Sequence, residues 1–276
     1  MNRTPAPSRA LFSIRHNASR MTGGEVAALL ASAAGAGVMN AMAGGGTILT
    51  FPTLILLGEP AITANATSAV ALWPGSAASL YGYRREVRGH RDWLMRLILP
   101  SLLGGALGAV LLLRTPPRTF EGLAPFLILF ATVLFALQGA LSRWIGSPRA
   151  EGGDTARSTA AWIFQFGVAV YGGYFGAGIG ILMLAVLGFL GLSDIHAANG
   201  LKNVFAMCIN GVAAVYFIAR GAVDWPAALV LVAGAIAGGY AGARFARSIG
   251  REKARAAVVI IGLAVAVLLF VQRGRV

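Results

Sequence analysis

Polar side chains that could hold a small anion occur within two stretches of an otherwise apolar sequence. Asn199, Lys202 and Asn203 lie in one apolar run, and Asn65 and Ser68 lie in another. Lys202 is the one charged member, and a cation in apolar surroundings is costly unless polar groups or water face it. An ammonium beside amides and hydroxyls suits an anionic ligand. Lys202 therefore either faces a polar cavity or extends its ammonium to a nearby surface.

Catalytic and metal chemistry finds no support in the rest of the sequence. His16, His90 and His196 are scattered without the spacing of a metal site. Cys208 is the single cysteine, and the glycine that would complete a hydrolase elbow is missing after Ser76. None of the ten acidic residues stands in the middle of an apolar segment, where a proton relay would need one. We expect no enzyme activity, no cofactor and no metal.

The composition predicts that this chain lies in a lipid bilayer. Of its 276 residues 57% are hydrophobic and only 12% are charged, with a mean hydropathy of +0.72. Soluble domains carry about a quarter charged residues. Ten nearly uncharged segments of about 13 to 22 residues approach the roughly 20 residues of one bilayer crossing. They are residues 25–43, 46–58, 63–83, 93–113, 123–141, 160–177, 179–192, 197–219, 226–243 and 256–272. We predict an all-α integral membrane protein that crosses the bilayer several times.

The strongly basic charge does not indicate a nucleic-acid partner. The net charge is +13, but the arginines stand in clusters between apolar segments, at 84–91 and 244–255. Cytoplasmic loops of membrane proteins show this excess of basic residues. Residues 1–22 are also basic and lack acids, and no clear cleavage site follows them. We interpret them as a disordered tail before an uncleaved anchor.

The sequence divides into two similar halves. A polar linker at residues 143–158 separates a first half, 23–142, from a second half, 159–273. At a shift of 134 residues Asn65 coincides with Asn199, and a glycine-rich run at 104–108 coincides with one at 238–242. Several matches in the same order predict an internal repeat, with four or five hydrophobic segments in each half.

The second apolar segment of each half is too short to cross a bilayer upright. Segments 46–58 and 179–192 are each preceded by glycines, at 44–46 and 176–180. Paired short segments with glycine interruptions are typical of the broken helices that form a transporter's binding site. Close helix packing through small residues is the alternative, and we prefer it for the remaining glycines of the helices. These are Gly104, Gly108, Gly234, Gly238 and Gly242.

Three motifs resemble the sulfite exporter TauE/SafE family of membrane permeases. They are the run from Asn40 to Leu54, the run from Ala64 to Ser68, and residues 171–203 with their second glycine motif. The resemblance covers about residues 22–272. It implies a bacterial inner-membrane carrier, often an exporter, for sulfite, sulfonates or related anions. The binding positions that it implies here are Gly44, Gly45, Gly46, Asn65, Gly176, Gly178, Asn199 and Lys202.

Several alternatives remain open at the level of sequence. Five spans in each half give inverted repeats, whereas four spans in each half give parallel repeats. Neither arrangement places every basic loop in the cytoplasm, and we favour the inverted one because it explains the two densest arginine clusters. The substrate, coupling ion, transport direction and oligomeric state stay undetermined. A membrane-embedded interaction or assembly protein without transport activity is the alternative function.

Overall fold

The computed structural model describes residues 21–42, 45–82, 89–145, 155–189, 192, 194–249 and 251–273. These residues form ten α-helices and no strand. The helices are α1 Gly23–Met42, α2 Thr47–Leu56, α3 Ala61–Gly82, α4 Arg91–Arg114, α5 Pro117–Ile145, α6 Thr155–Tyr174, α7 Ile179–Phe189, α8 Ile195–Ala219, α9 Trp225–Ile249 and α10 Arg251–Arg273. Each predicted apolar segment corresponds to one helix, so the all-α prediction is confirmed. The predicted tail at 1–20 and the middle of the linker, 146–154, lie outside the described residues.

Three helical stretches are long and apolar enough to cross a bilayer by themselves. They are Arg91–Arg114, Pro117–Leu137 and Ala197–Ala219, found among the residues that the structure describes. The outward face of α4 shows why such helices need lipid, because Leu99, Leu103 and Leu107 recur every fourth residue and are exposed. The inward face of α4 carries Gly104 and Gly108, which are buried. This helix is more apolar outside than inside, which fits a lipid environment and supports the membrane prediction.

Glycines bring α1 and α9 into close contact. A Cβ atom at Gly234 would lie 2.8 Å from the carbonyl oxygen of Leu30, and one at Gly238 would overlap the backbone of Ala34. No larger residue fits either position without moving a helix, so the close-packing interpretation is confirmed for both glycines. The surroundings of Gly242 lie outside the described side chains.

The same kind of contact joins α4 and α6. A Cβ atom at Gly104 would lie 2.6 Å from the carbonyl oxygen of Phe166, and one at Gly108 would overlap the carbonyl of Val170. In both helix pairs the contacting residue numbers rise together, so α1 runs parallel to α9, and α4 runs parallel to α6. The packing interpretation also holds for Gly104 and Gly108.

Two polar contacts connect these pairs through α3. The backbone N–H of Asp224, just before α9, donates to Thr67 Oγ1 near the start of α3. The Asn65 side chain, also near the start of α3, donates to the carbonyl oxygen of Tyr174 at the end of α6. Helix α3 therefore starts close to the start of α9 and to the end of α6.

We expect Gly108→Ala to lower the stability of the protein by about 1 to 3 kcal/mol, because the added methyl group overlaps the carbonyl of Val170. Gly167→Ala on α6 is the matched control, since a Cβ atom there meets nothing within 4 Å and alanine is the better helix former. Thermal unfolding of the purified chain in detergent measures both effects. Equal melting temperatures for the two variants would contradict the contact between α4 and α6.

Candidate functional site

The first helix break lies between α1 and α2. Helix α1 ends at Met42 and α2 begins at Thr47, and Gly45 between them has a φ of +124°, which side chains disfavour. Asn40 in the last turn of α1 holds the break, because its Oδ1 accepts hydrogen bonds of 2.8 Å from the N–H groups of both Gly45 and Gly46. The interrupted helix predicted here is confirmed. Gly44 lies outside the described residues.

Helix α2 folds back against α1 after this break. A Cβ atom at Gly46 would lie 2.7 Å from the carbonyl oxygen of Ala36, which is more than one turn before the end of α1. Helix α2 has 10 residues, so it spans about 15 Å, half of a hydrocarbon layer. Gly46 therefore has a packing role, because it lets the start of α2 approach α1.

The second helix break lies between α6 and α7. Helix α6 ends at Tyr174 and α7 begins at Ile179, and both Gly176 and Gly178 have positive φ values, of +81° and +75°. The hydroxyl of Tyr171 donates a 2.7 Å hydrogen bond to the carbonyl oxygen of Ala177 inside the break. Side chains of the preceding helix thus satisfy released backbone groups at both breaks, as a lipid environment demands.

The two breaks meet inside the protein. A Cβ atom at Gly45 would lie 2.9 Å from the backbone nitrogen of Gly178 and would overlap the ring of Phe135 on α5. Two interruptions that are 133 residues apart in sequence are therefore in direct contact. This contact brings the amino-terminal ends of α2 and α7 to one region of the structure.

A cavity lies where the broken helices approach α3 and α8. It is small, with a volume of about 40 Å³, and part of it opens to the outside. Its walls come from both halves of the chain, and some of its lining groups are polar and some apolar. The lining residues are Asn40, Gly45, Thr47, Ala69, Leu72, Phe175, Gly176, Ile179, Gly180, Lys202, Asn203, Ala206 and Asn210.

The starts of both short helices provide unused donors at this cavity. The first turn of a helix leaves its N–H groups without partners inside the helix. Thr47 and Gly180 line the cavity, and within the described residues neither backbone N–H donates a hydrogen bond. The amino-terminal end of a helix also carries about half a positive charge. Both features favour a negatively charged ligand.

Lys202 lines the same cavity and is buried. Its side chain is only 3% exposed, and Nζ donates a 3.1 Å hydrogen bond to Oδ1 of Asn199, one turn earlier on α8. No carboxylate pairs with this ammonium among the described residues. The interpretation in which Lys202 reaches the membrane surface is wrong, because the side chain is enclosed by protein.

The other predicted positions divide between the cavity and its support. Gly45 and Gly176 line the cavity, whereas Gly46, Gly178 and Asn199 do not. Asn199 accepts from Lys202 and so orients the ammonium. These three therefore lie behind the wall of the cavity.

Asn65 also lies away from the cavity. It is 1% exposed, and its Nδ2 bonds to the carbonyl oxygen of Tyr174 at 2.9 Å. It therefore supports the end of α6 rather than touching the cavity. The sequence shift that pairs it with Asn199 does not reveal this, because the partner of Asn65 comes from another helix.

The cavity also contains residues that the sequence indicated weakly or not at all. Asn203 and Asn210 are two turns apart on α8, and both line the wall, as their shared helical face predicts. Asn40 was missed as a lining residue. An asparagine just before a glycine run, at the end of an apolar helix, is the signal that could have identified it.

Comparisons with known proteins agree with this architecture. The family model described as "Sulfite exporter TauE/SafE" matches residues 29–269. A protein of Haemophilus influenzae named "Probable membrane transporter protein" is 31% identical over 235 residues, which cover 82% of this chain and 87% of the relative. No solved structure matches the chain.

Two further relatives carry similar names. "Probable membrane transporter protein ORF9" of Sinorhizobium is 26% identical over 85% of this chain and 88% of its own length. "Probable membrane transporter protein YfcA" of Escherichia coli K12 is 26% identical over 82% of each chain. These names describe transporters and not enzymes, which supports the expectation of a non-enzymatic role. With a match over most of its length, the chain belongs to the sulfite exporter TauE/SafE family of membrane transporters.

Proposed function

We propose that this protein carries a small sulfur-containing anion, such as sulfite or an organosulfonate, out of the cell across the bacterial inner membrane. The observation that supports this proposal most is that Lys202, a buried cation, lines a cavity between two helix breaks. A buried cation without a carboxylate partner is unfavourable unless an anion or water accompanies it. A bound anion provides this compensation and gives the cavity a function.

The charges around the cavity favour a negatively charged ligand. The ammonium contributes a full positive charge, and the starts of α2 and α7 contribute partial positive charges. No acidic residue lines the cavity among the residues that the structure describes. Anion oxygens can therefore accept hydrogen bonds from Lys202, from the Thr47 and Gly180 N–H groups, and from the nearby side-chain amides.

The apolar part of the wall supports organosulfonates among these anions. Ala69, Leu72, Phe175, Ile179 and Ala206 place carbon groups beside the donors. A sulfonate with a short carbon chain can direct its oxygens to the donors and its carbons to this wall.

We further propose that the two halves form an inverted repeat. Support comes from the equivalent helix pairs, since α1 packs on α9 as α6 packs on α4, each through glycines. In an inverted repeat the corresponding helices α1 and α6 run in opposite directions, as a two-fold axis in the membrane plane requires. In this arrangement ten helices alternate in direction, and the short α2 and α7 start near the middle of the bilayer.

This arrangement also gives an orientation in the membrane. The connections α3–α4, α5–α6 and α9–α10 then lie on one side, and in the sequence the arginine-rich segments 84–91 and 244–255 fall at the first and the last of these connections. The positive-inside rule assigns that side to the cytoplasm. Both termini of the bundle then lie on the opposite side.

A counterflow assay in proteoliposomes tests the proposed function. We expect exchange of labelled sulfite or of an organosulfonate such as sulfoacetate, with sulfate, thiosulfate and taurine as competitors to define the preference. Ligand-dependent thermal stabilisation of the purified protein provides an independent measurement. Absence of both signals for every anion would contradict transport of this class and leave a role in membrane assembly or interaction.

Lys202→Gln should weaken anion transport at least about tenfold, because the variant loses a charge-assisted hydrogen bond in a buried site. Arg220→Gln is the matched control. Arg220 is exposed at the end of α8, where it lies over the ring of Tyr216 and away from the cavity. Concentration-dependent counterflow measures both variants. Equal transport by Lys202→Gln and wild type would exclude Lys202 as a substrate ligand.

Gly45→Ala should reduce both stability and transport, because φ is +124° there and the methyl group would overlap Phe135 and crowd Gly178. Gly58→Ala separates the backbone strain of a positive φ from the steric overlap of the methyl group. Gly58 also has a positive φ, of +92°, but has open space around its Cβ position. We expect Gly58→Ala to lower the free energy of unfolding by about 1 to 2 kcal/mol. Gly45→Ala should lower it further, and only Gly45→Ala should lose transport. Thermal unfolding and counterflow measure these effects, and equal behaviour of the two variants would contradict the contact between the breaks.

A further inference from the structure

The side-chain amide of Asn40 has a fixed orientation. The Gly45 and Gly46 N–H groups both point at the same atom of this side chain, at 2.8 Å each. Two donors can share only an oxygen, so this atom is Oδ1 and the other end of the amide is the NH₂ group. The helix break therefore determines which end of Asn40 is left for other partners.

The remaining NH₂ group is a donor without a partner in the part of the chain that the structure describes. Asn40 lines the cavity, and its two hydrogen bonds both use Oδ1. Nδ2 carries two hydrogens and cannot accept. At a cavity wall it is therefore available to an acceptor inside the cavity.

We propose that Asn40 is a substrate ligand whose Nδ2 donates to an oxygen of the bound anion. This inference rests on the proposed function and adds a binding residue from the first half of the chain to Lys202 in the second half. Asn40 has two roles in this proposal, because Oδ1 caps the start of α2 while Nδ2 binds substrate. The class of ligand is an oxyanion that presents an unprotonated oxygen, as sulfonates and sulfite do.

The two halves thus contribute different groups to the cavity. In the second half the ligand is the ammonium of Lys202, whereas at the corresponding position the first half has Ser68, whose hydroxyl bonds to Thr50. Asn40 gives the first half a neutral donor instead. The position equivalent to Asn40 in the second half is Tyr174, which has no amide. The bound anion therefore meets a charged donor from one half and a neutral donor from the other.

Two variants separate the capping role from the binding role. Asn40→Asp keeps an oxygen for the Gly45 and Gly46 N–H groups, but replaces the donor with a negatively charged acceptor. Asn40→Ala removes both the cap and the donor without adding charge. Thermal unfolding without ligand reports the capping role in the purified full chain. The apparent dissociation constants of methanesulfonate and sulfite, from ligand-dependent stabilisation, report the binding role.

We expect Asn40→Asp to unfold at or above the wild-type temperature, because a carboxylate is a good cap at a helix start. Its affinity for both anions should fall about tenfold or more. Asn40→Ala should unfold at a lower temperature and also lose affinity. This combination supports direct binding of the anion by Asn40, because the affinity falls in both variants while the unfolding temperature falls in only one.

Three results would overturn the inference. Wild-type affinity in Asn40→Asp would show that the amide hydrogens do not bind the anion. Wild-type affinity in Asn40→Ala, with loss in Asn40→Asp alone, would reduce the effect to charge repulsion. A wild-type protein that binds neither anion would overturn the proposed function together with this inference. Unchanged affinity in both variants, which is a case of the first result, would overturn the inference alone.

Discussion

The structure depends on the rule that a backbone released from a helix inside lipid must find hydrogen-bond partners within the protein. Each break meets this demand locally, with Asn40 capping Gly45 and Gly46 in one half and Tyr171 bonding to Ala177 in the other. The breaks also contact each other, so each shields the other from lipid. Among the described residues, Thr47 and Gly180 at the helix starts, whose backbone N–H groups donate no hydrogen bond, then line one cavity together with Lys202.

The same contact suggests how the protein can move. Alternating access in transporters with inverted repeats comes from motion of one repeat against the other around a fixed site. Here Gly45 and Gly178, which lie on opposite sides of the linker in sequence, contact each other and have no side chains to interlock. The glycine contacts of α1 with α9 and of α4 with α6 join helices from different halves. Motion of one half against the other would therefore require the two helices of each pair to slide past each other or to move together.

Much of the fold could be predicted from the sequence, because the length of each apolar segment and the position of its glycines determine local structure. The ten helices, the two short ones among them, and the packing glycines such as Gly108 follow from these signals. The site was harder to predict, since its members meet through tertiary contacts. The shift of 134 residues makes Asn65 and Asn199 look equivalent, yet Asn65 bonds to a distant carbonyl and Asn199 orients Lys202. Asn40 was missed because its role depends on how α2 folds back.

Transport through this site requires a polar cavity, accessible to water and anions, between the two helix breaks. Ala206 lines that cavity on α8, whereas Val215 on the same helix is exposed on the outer surface. The direct measurement is labelling of Ala206→Cys and Val215→Cys by a charged thiol reagent in membranes, with Cys208 replaced by alanine. We expect the cysteine at position 206 to react, and sulfite or methanesulfonate to slow its labelling, while the cysteine at position 215 stays unreactive in lipid. An unreactive cysteine at position 206, or labelling there that neither anion slows, would contradict transport through this site.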